Sequence, residues 1–283
     1  MLEGEELIVA PGVFDGISAA IVGPLGFKAA YMTGAGVAAS GFGLPDIGLV
    51  TLSEMAERAR TFTSLLDVPL IADADTGYGS PINVVRTVRA YEAAGVAAIQ
   101  LEDQVFPKRC GHLAGKEVIE AERFAVVLRA ALEARSDPDT VIVARTDARA
   151  PLGLDEAIAR ARLYAQTGAD VIFVEAPESV AEVERIAAEV DAPLLLNLVP
   201  GGRTPDIPAE RLAELGYRVA IHPGAALWPV ARAAAESLSA LAGRPSNLPA
   251  ELTPAGLFEL VGLSEWSELA ERYGDYERPG GPG

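Results

Sequence analysis

The sequence predicts an α/β fold, a (β/α)8 TIM barrel with a C-terminal helical extension, and three observations carry that prediction. Eight strand-length apolar runs recur, at 7–10, 29–33, 69–75, 97–103, 141–147, 170–175, 193–198 and 218–222. Helix-like segments rich in Ala, Glu and Arg separate them, and near-continuous apolar strands alternating with helices imply a parallel sheet covered on both faces. A doubly wound open sheet alternates in the same way. The third observation separates the two: Asp73 and Asp75, Glu102 and Asp103, Arg145 and Asp147, Glu175, and Asn197 fall at the C-terminal ends of five successive strands, where barrel enzymes place their chemistry.

The intervening helices are expected at 80–94, 120–134, 154–168, 180–190 and 208–216. Ser179 reads as a start signal, and Gly95, Gly168 and Gly216 as stops. A further helix is read at 225–242. Arg244-Pro245-Ser246-Asn247-Leu248-Pro249 then reads as a linker, since its prolines break helix and its other residues favour turns. Helical material returns within 253–273. The expected organisation is a barrel over 1–243, a linker and helical extension over 244–278, and a disordered tail over 279–283.

At 283 residues and 50% hydrophobic, the chain can bury a large core as one domain. Its formal net charge of -17 argues against nucleic acid, because phosphate backbones would be repelled. An anionic substrate then needs local positive charge or a metal. One cysteine excludes an intramolecular disulfide. Glu3, Glu5 and Glu6 stand where a signal peptide carries cations, and no apolar run is long enough to span a membrane. The expectation is a cytoplasmic protein that binds neither membrane nor nucleic acid.

One stretch, residues 101–112, concentrates chemistry. It holds Glu102, Asp103, Lys108, Arg109, the only cysteine Cys110, and His112. A lone cysteine is commonly a small buried hydrophobe. Here Lys108 and Arg109 favour its thiolate, and Gly111 and Gly115 allow the segment to move. A cationic, Cys-bearing loop of this kind suits a catalytic lid.

Asp73-Ala74-Asp75 places two carboxylates at i and i+2, which face one side of an extended strand. With Glu102 they form a hard oxygen donor set suited to Mg2+ or Mn2+ held partly through water, and less suited to zinc. A solvated loop or a helix cap is the plainer reading of Asp-x-Asp. Arg145 can pair bidentately with a substrate carboxylate and Asn197 can donate to the same group; Arg145 can equally form a salt bridge to Asp147, Glu175 or Glu102. Tyr31-Met32-Thr33-Gly34-Ala35-Gly36 is compatible with a small anion-binding turn. No dinucleotide fingerprint or P-loop occurs.

Several motifs together resemble the isocitrate lyase/phosphoenolpyruvate mutase superfamily over nearly the whole chain. They are Gly43-Leu44-Pro45-Asp46, Asp73-Ala74-Asp75-Thr76-Gly77-Tyr78-Gly79, Leu101-Glu102-Asp103-Gln104, Lys108-Arg109-Cys110-Gly111-His112, Ala144-Arg145-Thr146-Asp147-Ala148 and Val174-Glu175-Ala176-Pro177. The Lys-Arg-Cys-Gly-His form is similar to the lyase branch. The resemblance implies a barrel whose last helix is exchanged between partners, and a homotetramer built as a dimer of dimers. It implies Mg2+ near Asp46, Asp73, Asp75 and Glu102. It further implies a gating loop carrying Cys110, with Lys108 and His112 beside it. Tyr31, Thr33, Gly34, Ala35 and Arg145 would surround the substrate, with Glu175 and Asn197 further along.

The implied reaction removes the 2-hydroxyl proton of a hydroxydicarboxylate, breaks C2–C3, and protonates the resulting carbanion from Cys110. The resemblance also places Leu257 where methylisocitrate lyases carry an arginine, which favours a 2,3-dimethylmalate or 2-alkylmalate substrate. Within the family the alternative is hydrolysis of oxaloacetate to oxalate and acetate; Cys110 argues against a phosphonomutase. A hypothesis of another class is a dicarboxylate sensor without turnover, which would have no use for a proton donor on a lid.

Overall fold

The computed structural model describes all residues other than 1, 3, 5, 112–114, 247, 249–251 and 274–283. His112, the proposed tail, and parts of the linker and extension lie outside the described residues. Among the described residues, eight parallel strands close into a barrel in sequence order. They are β1 (Ile8–Val13), β2 (Ala30–Met32), β3 (Leu70–Asp73), β4 (Ala98–Glu102), β5 (Val141–Thr146), β6 (Val171–Val174), β7 (Leu194–Asn197) and β8 (Tyr217–His222). Closure comes from β1 against β8, with Ile8 opposite Val219 and Pro11 opposite His222. Each expected apolar run carries one strand, and the open sheet is excluded.

Alternation along the strands sorts side chains between two cores. Leu70, Ala72, Ile99, Ile142, Ile172 and Leu194 turn outward and pack beneath the helices. Ile8, Tyr31, Ile71, Ala98, Val143, Phe173 and Leu195 turn inward and fill the barrel. Residues two positions further along the same strands share that inward face. Asp73 therefore follows Ile71, Arg145 follows Val143, Glu175 follows Phe173 and Asn197 follows Leu195. The β4–β5 register sets Glu102 directly beside Arg145.

The helices form where local signals allow. Ser80 caps Pro81–Ala93 in a reciprocal box with Asn83, and Pro81 supplies a ready-made first turn. Gly168, at φ 106°, ends Leu154–Thr167 in a left-handed cap. Helices Gly16–Val22, Gly34–Val37, Leu52–Thr63 and Arg149–Leu152 were not among those read from the sequence. The third has a legible start, because Thr51 and Glu54 form a capping box. The 253–273 segment divides into Pro254–Glu259 and Leu263–Tyr273 around Gly262, at φ 80°.

Helix Leu227–Ala242 follows β8, yet it does not lie down along the barrel as the earlier helices do. Leu227 is buried, whereas Val230, Leu238 and Leu241 are exposed. On the first helix Ile17 and Ile21 are exposed as well, and so is Leu25 in the short turn after it. No helix among the described residues is long and apolar enough to cross a membrane.

Candidate active site

The C-terminal mouth of the barrel collects polar side chains that the interior would otherwise reject. Buried carboxylates there include Asp46, Asp73, Glu102, Asp103, Asp147 and Glu175, and the buried cations are Lys108, Lys116, Arg145 and Arg160. Asp75 joins them with its side chain 13% exposed.

Arg145 sits at the centre. Its Nε and Nη2 donate to Asp147 Oδ2 and Oδ1 at 2.8 and 3.0 Å, a bidentate fork. Its Nη1 lies 3.2 Å from Glu102 Oε2, and its Nε lies 3.9 Å from Glu175 Oε2. The ion-pair reading of Arg145 therefore holds in the structure, and a substrate carboxylate would compete for or add to that fork. Burial opposes ionisation of Asp147, but Arg145 and Lys116 outweigh it and hold its carboxyl well below the usual range. Asn197 Nδ2 donates to Glu175 at 3.3 and 3.4 Å.

Asp103 is the support beneath this layer. It accepts from Thr146 Oγ1 at 2.7 Å, the Asp147 backbone N–H at 2.9 Å, Tyr164 OH at 2.8 Å and Arg160 Nη1 at 3.1 Å. Through the Asp147 backbone it fixes the carboxylate that holds Arg145, which is how a buried network specifies one arrangement.

The acidic pair behaves differently from the extended-strand expectation. β3 ends at Asp73, and Asp75 has φ 47°. A left-handed turn, rather than strand alternation, aims the second carboxylate. The turn is held by the Asp75 N–H donating to Asp73 Oδ1 at 3.1 Å, and by the Asp75 carbonyl accepting from Glu102 N–H at 2.9 Å. A non-glycine residue in this region is strained, and such strain gathers at functional sites.

Lys108 reaches from the loop after β4 into the acidic cluster, pairing with Asp46 and, at 2.8 Å, with Asp75. Burial disfavours its charge, but Asp46 and Asp75 outweigh that and push its pKa well up. Its ammonium is thus directed at these carboxylates. Burial pushes Asp73 up, Asp75 up to about 7, and Glu102 well up, against the pull of Lys108 and Arg145.

These residues fit a hard divalent cation. Seven carboxylates face four cations, and Glu102 Oε1 is buried with no hydrogen-bond partner among the described residues. Among those residues no three acidic, His or Cys side chains converge as a ready-made metal cage. An oxygen-rich site completed by water, as Mg2+ prefers, suits that arrangement.

The cavity over this cluster is small, about 50 Å³, and its lining is part polar and part apolar. The polar part includes Tyr31, Thr33, Asp46, Asp73, Arg145, Glu175 and Asn197, with Ala35 and Cys110 also in the lining. Val199, Pro223, Trp228, Pro254 and Phe258 form the apolar part. Thr33 caps the short helix after β2 by accepting from the Gly36 N–H at 3.1 Å. A Cβ on Gly34 would stand 2.6 Å from Asp73 Oδ2, so glycine there permits the close approach.

Cys110 is buried at the cavity edge, its backbone N–H donating to the Asp46 carbonyl at 3.0 Å. At Gly111 a Cβ would lie 2.5 Å from Arg145 Nη2 and 2.6 Å from Glu175 Oε1. This glycine therefore serves close packing of the loop on the site. Leu257 does not line the cavity; it packs with Phe14 and Leu227. Phe258 and Pro254 from the same helix face the site instead. The sequence reading also passed over Lys116, although it is one of three lysines in the chain and the second in this loop.

A barrel mouth with a buried arginine fork, an acidic cluster in which carboxylates outnumber cations, and a cysteine-bearing loop packed on it has the make-up of an enzyme site. Comparison with known proteins gives its family. The family model described as phosphoenolpyruvate phosphomutase matches residues 1–242. The chain is 43% identical to 2,3-dimethylmalate lyase of Eubacterium barkeri over 276 residues, covering 96% of each. A structure of 2,3-dimethylmalate lyase, described as a PEP mutase/isocitrate lyase superfamily member, superposes with TM-score 0.81 at 42% identity, covering 100% of this chain and 96% of that one. Oxaloacetate acetylhydrolase in complex with 3,3-difluorooxalacetate superposes with TM-score 0.83 at 42% identity, covering 96% and 94%. The chain belongs to the PEP mutase/isocitrate lyase superfamily.

Proposed function

We propose that the protein is a Mg2+-dependent carbon–carbon lyase that cleaves an alkyl-substituted 2-hydroxydicarboxylate, of the 2,3-dimethylmalate or 2-alkylmalate type, to a 2-oxoacid and a carboxylic acid. The observation that carries this reading is the mixed lining of one cavity, where Arg145, Asn197 and Cys110 meet the apolar Val199, Pro223, Trp228, Pro254 and Phe258. Arg145 binds a substrate carboxylate. The apolar lining receives the alkyl substituent, since it buries apolar surface without leaving a charge unpaired. Asp46, Asp73, Asp75 and Glu102 would hold Mg2+, which when bound stabilises negative charge at the 2-oxygen as a Lewis acid.

The 2-hydroxyl passes its proton to a carboxylate of the acidic cluster, C2 becomes a carbonyl as the C2–C3 pair of electrons passes to C3, and the Cys110 thiol gives C3 its proton, leaving a thiolate that is reprotonated before the next turnover. Lys108 orders Asp46 and Asp75, and the closed loop excludes water that would otherwise compete as proton source. His112 lies two residues after Cys110 in sequence and is assigned to the same loop function. Likeness to oxaloacetate acetylhydrolase supports oxaloacetate hydrolysis as a second reading.

The exposed apolar faces of helix Leu227–Ala242 and of the first helix support exchange of the former between subunits of a homotetramer. A cytoplasmic location and a small-molecule partner belong to the same proposal.

A product screen with Mg2+ tests it, offering 2,3-dimethylmalate, 2-alkylmalates, 2-methylisocitrate and oxaloacetate, with and without chelator. Chelator-sensitive release of a 2-oxoacid from an alkylmalate is the expected result. Oxalate from oxaloacetate alone would move the assignment to a hydrolase, and preference for 2-methylisocitrate would show that the apolar lining does not set specificity.

A further inference from the structure

Two lysines flank Cys110, and both turn inward from the loop to buried carboxylates of the barrel. Lys108 reaches Asp46 and Asp75. Lys116, itself buried, donates to Asp147 Oδ1 at 2.8 Å and to the Gly111 carbonyl at 2.6 Å. The second bond matters because Gly111 follows Cys110 and lies against Arg145 and Glu175. The first matters because Asp147 is the carboxylate that holds Arg145 in its fork.

We propose that Lys116 is a positioning residue for Cys110, acting as the second anchor of the loop. It ties the peptide after the proton donor to the carboxylate that orients the substrate-binding arginine. This rests on the reading of Cys110 as proton donor, and it adds a residue that touches neither the cavity nor the reacting atoms. An ammonium suits the position because its three donors can serve a carboxylate and a carbonyl together. With both partners buried, the contacts are little screened by solvent. Lys116 alone joins the far side of the loop to the β5 end among the ion pairs of the described residues, so its loss leaves the near side held by Lys108, the Cys110 backbone bond and the Gln104 side chain on the Arg109 backbone.

The single cysteine gives a direct readout, because thiol modification of the intact protein reports access to Cys110 alone. Iodoacetamide labelling of the resting wild type, Lys116→Met and Lys116→Arg is compared, with thermal unfolding confirming that each variant is folded. Lys116→Met is expected to label at least about tenfold faster, as a shift of roughly that size in the closed population requires. Lys116→Arg keeps the charge and several donors, and is expected to stay near the wild-type rate. In steady-state assays with whichever substrate wild type turns over, Lys116→Met should lower kcat by a larger factor than it raises KM, because the carboxylate anchors remain.

A folded Lys116→Met that labels at the wild-type rate overturns the proposal. So does a folded Lys116→Arg that labels as fast as Lys116→Met, since shape rather than charge would then hold the loop. The labelling arm needs no turnover, so absence of lyase products from wild type would sink the proposed function while leaving the anchor to be judged by labelling.

Discussion

The N-terminal and C-terminal ends of this barrel are made from the same strands by opposite rules. At the N-terminal end Ile8, Ile71, Val143, Val171, Leu195 and Val219 line an apolar cavity. One or two inward positions further along, Asp73, Glu102, Arg145, Glu175 and Asn197 replace them. The lower end gains from burying apolar surface, about 25 cal/mol per Å². The upper end has to desolvate charge, which stabilises only when every group finds a partner. Stability is therefore concentrated below and chemistry above, and each end should fail in its own way.

Cys110→Ser tests the upper end most strongly. A hydroxyl is a far weaker acid than a thiol, so kcat should fall by about 10²–10⁴, the range typical of losing a general acid. The unfolding midpoint should barely move. Near-wild-type turnover would remove Cys110 from the reaction.

The next effect concerns protons and metal. The folded pKa of Asp75, about 7, lies above the ordinary 3.8 because burial disfavours its charge. The folded state then binds the proton more tightly than the unfolded chain, so the metal-free protein should lose stability as pH rises from about 4 to about 7 and level off above. The loss should be on the order of a few kcal/mol. Asp73 and Glu102 push the same way. His222, lowered by burial, opposes them over part of that window. Urea unfolding in chelator at pH 5 and pH 8 measures the difference, and saturating Mg2+ should shrink it. A chelated protein equally stable at both would show that the acidic cluster is compensated by the chain itself.

The smallest effect belongs to the lower end. Ile71→Val removes one methylene beside the apolar cavity and should cost about 0.5–1.5 kcal/mol in unfolding free energy. Turnover should be unchanged. A drop in kcat comparable to that of Cys110→Ser would mean that the two ends are not separable.

The sequence carried the eight strands because each is buried on both faces and so reads as a continuous apolar run. It also carried Glu102, Arg145, Glu175 and Asn197, since a polar residue closing such a run has few structural explanations. Asp75 was legible as a residue but not in its orientation, which depends on a left-handed turn at a non-glycine position. Leu257, which the resemblance sets where methylisocitrate lyases carry an arginine, packs away from the cavity that Phe258 lines, because one residue on a helix is a rotation of about 100° that only the docked helix reveals. Lys116 was missed because its partner Asp147 lies 31 residues away.

Periodicity, together with the polar residues that close successive apolar runs, pointed to the barrel, its acidic mouth and the loop that bears the cysteine, because these follow from local patterns along the chain. Tertiary structure decided which carboxylates Lys108 and Lys116 bind, that Gly111 packs on Arg145, and that Trp228 and Phe258 line the same cavity as the arginine fork. Those are contacts between residues distant in sequence, and their energies depend on burial and on geometry that no local pattern encodes.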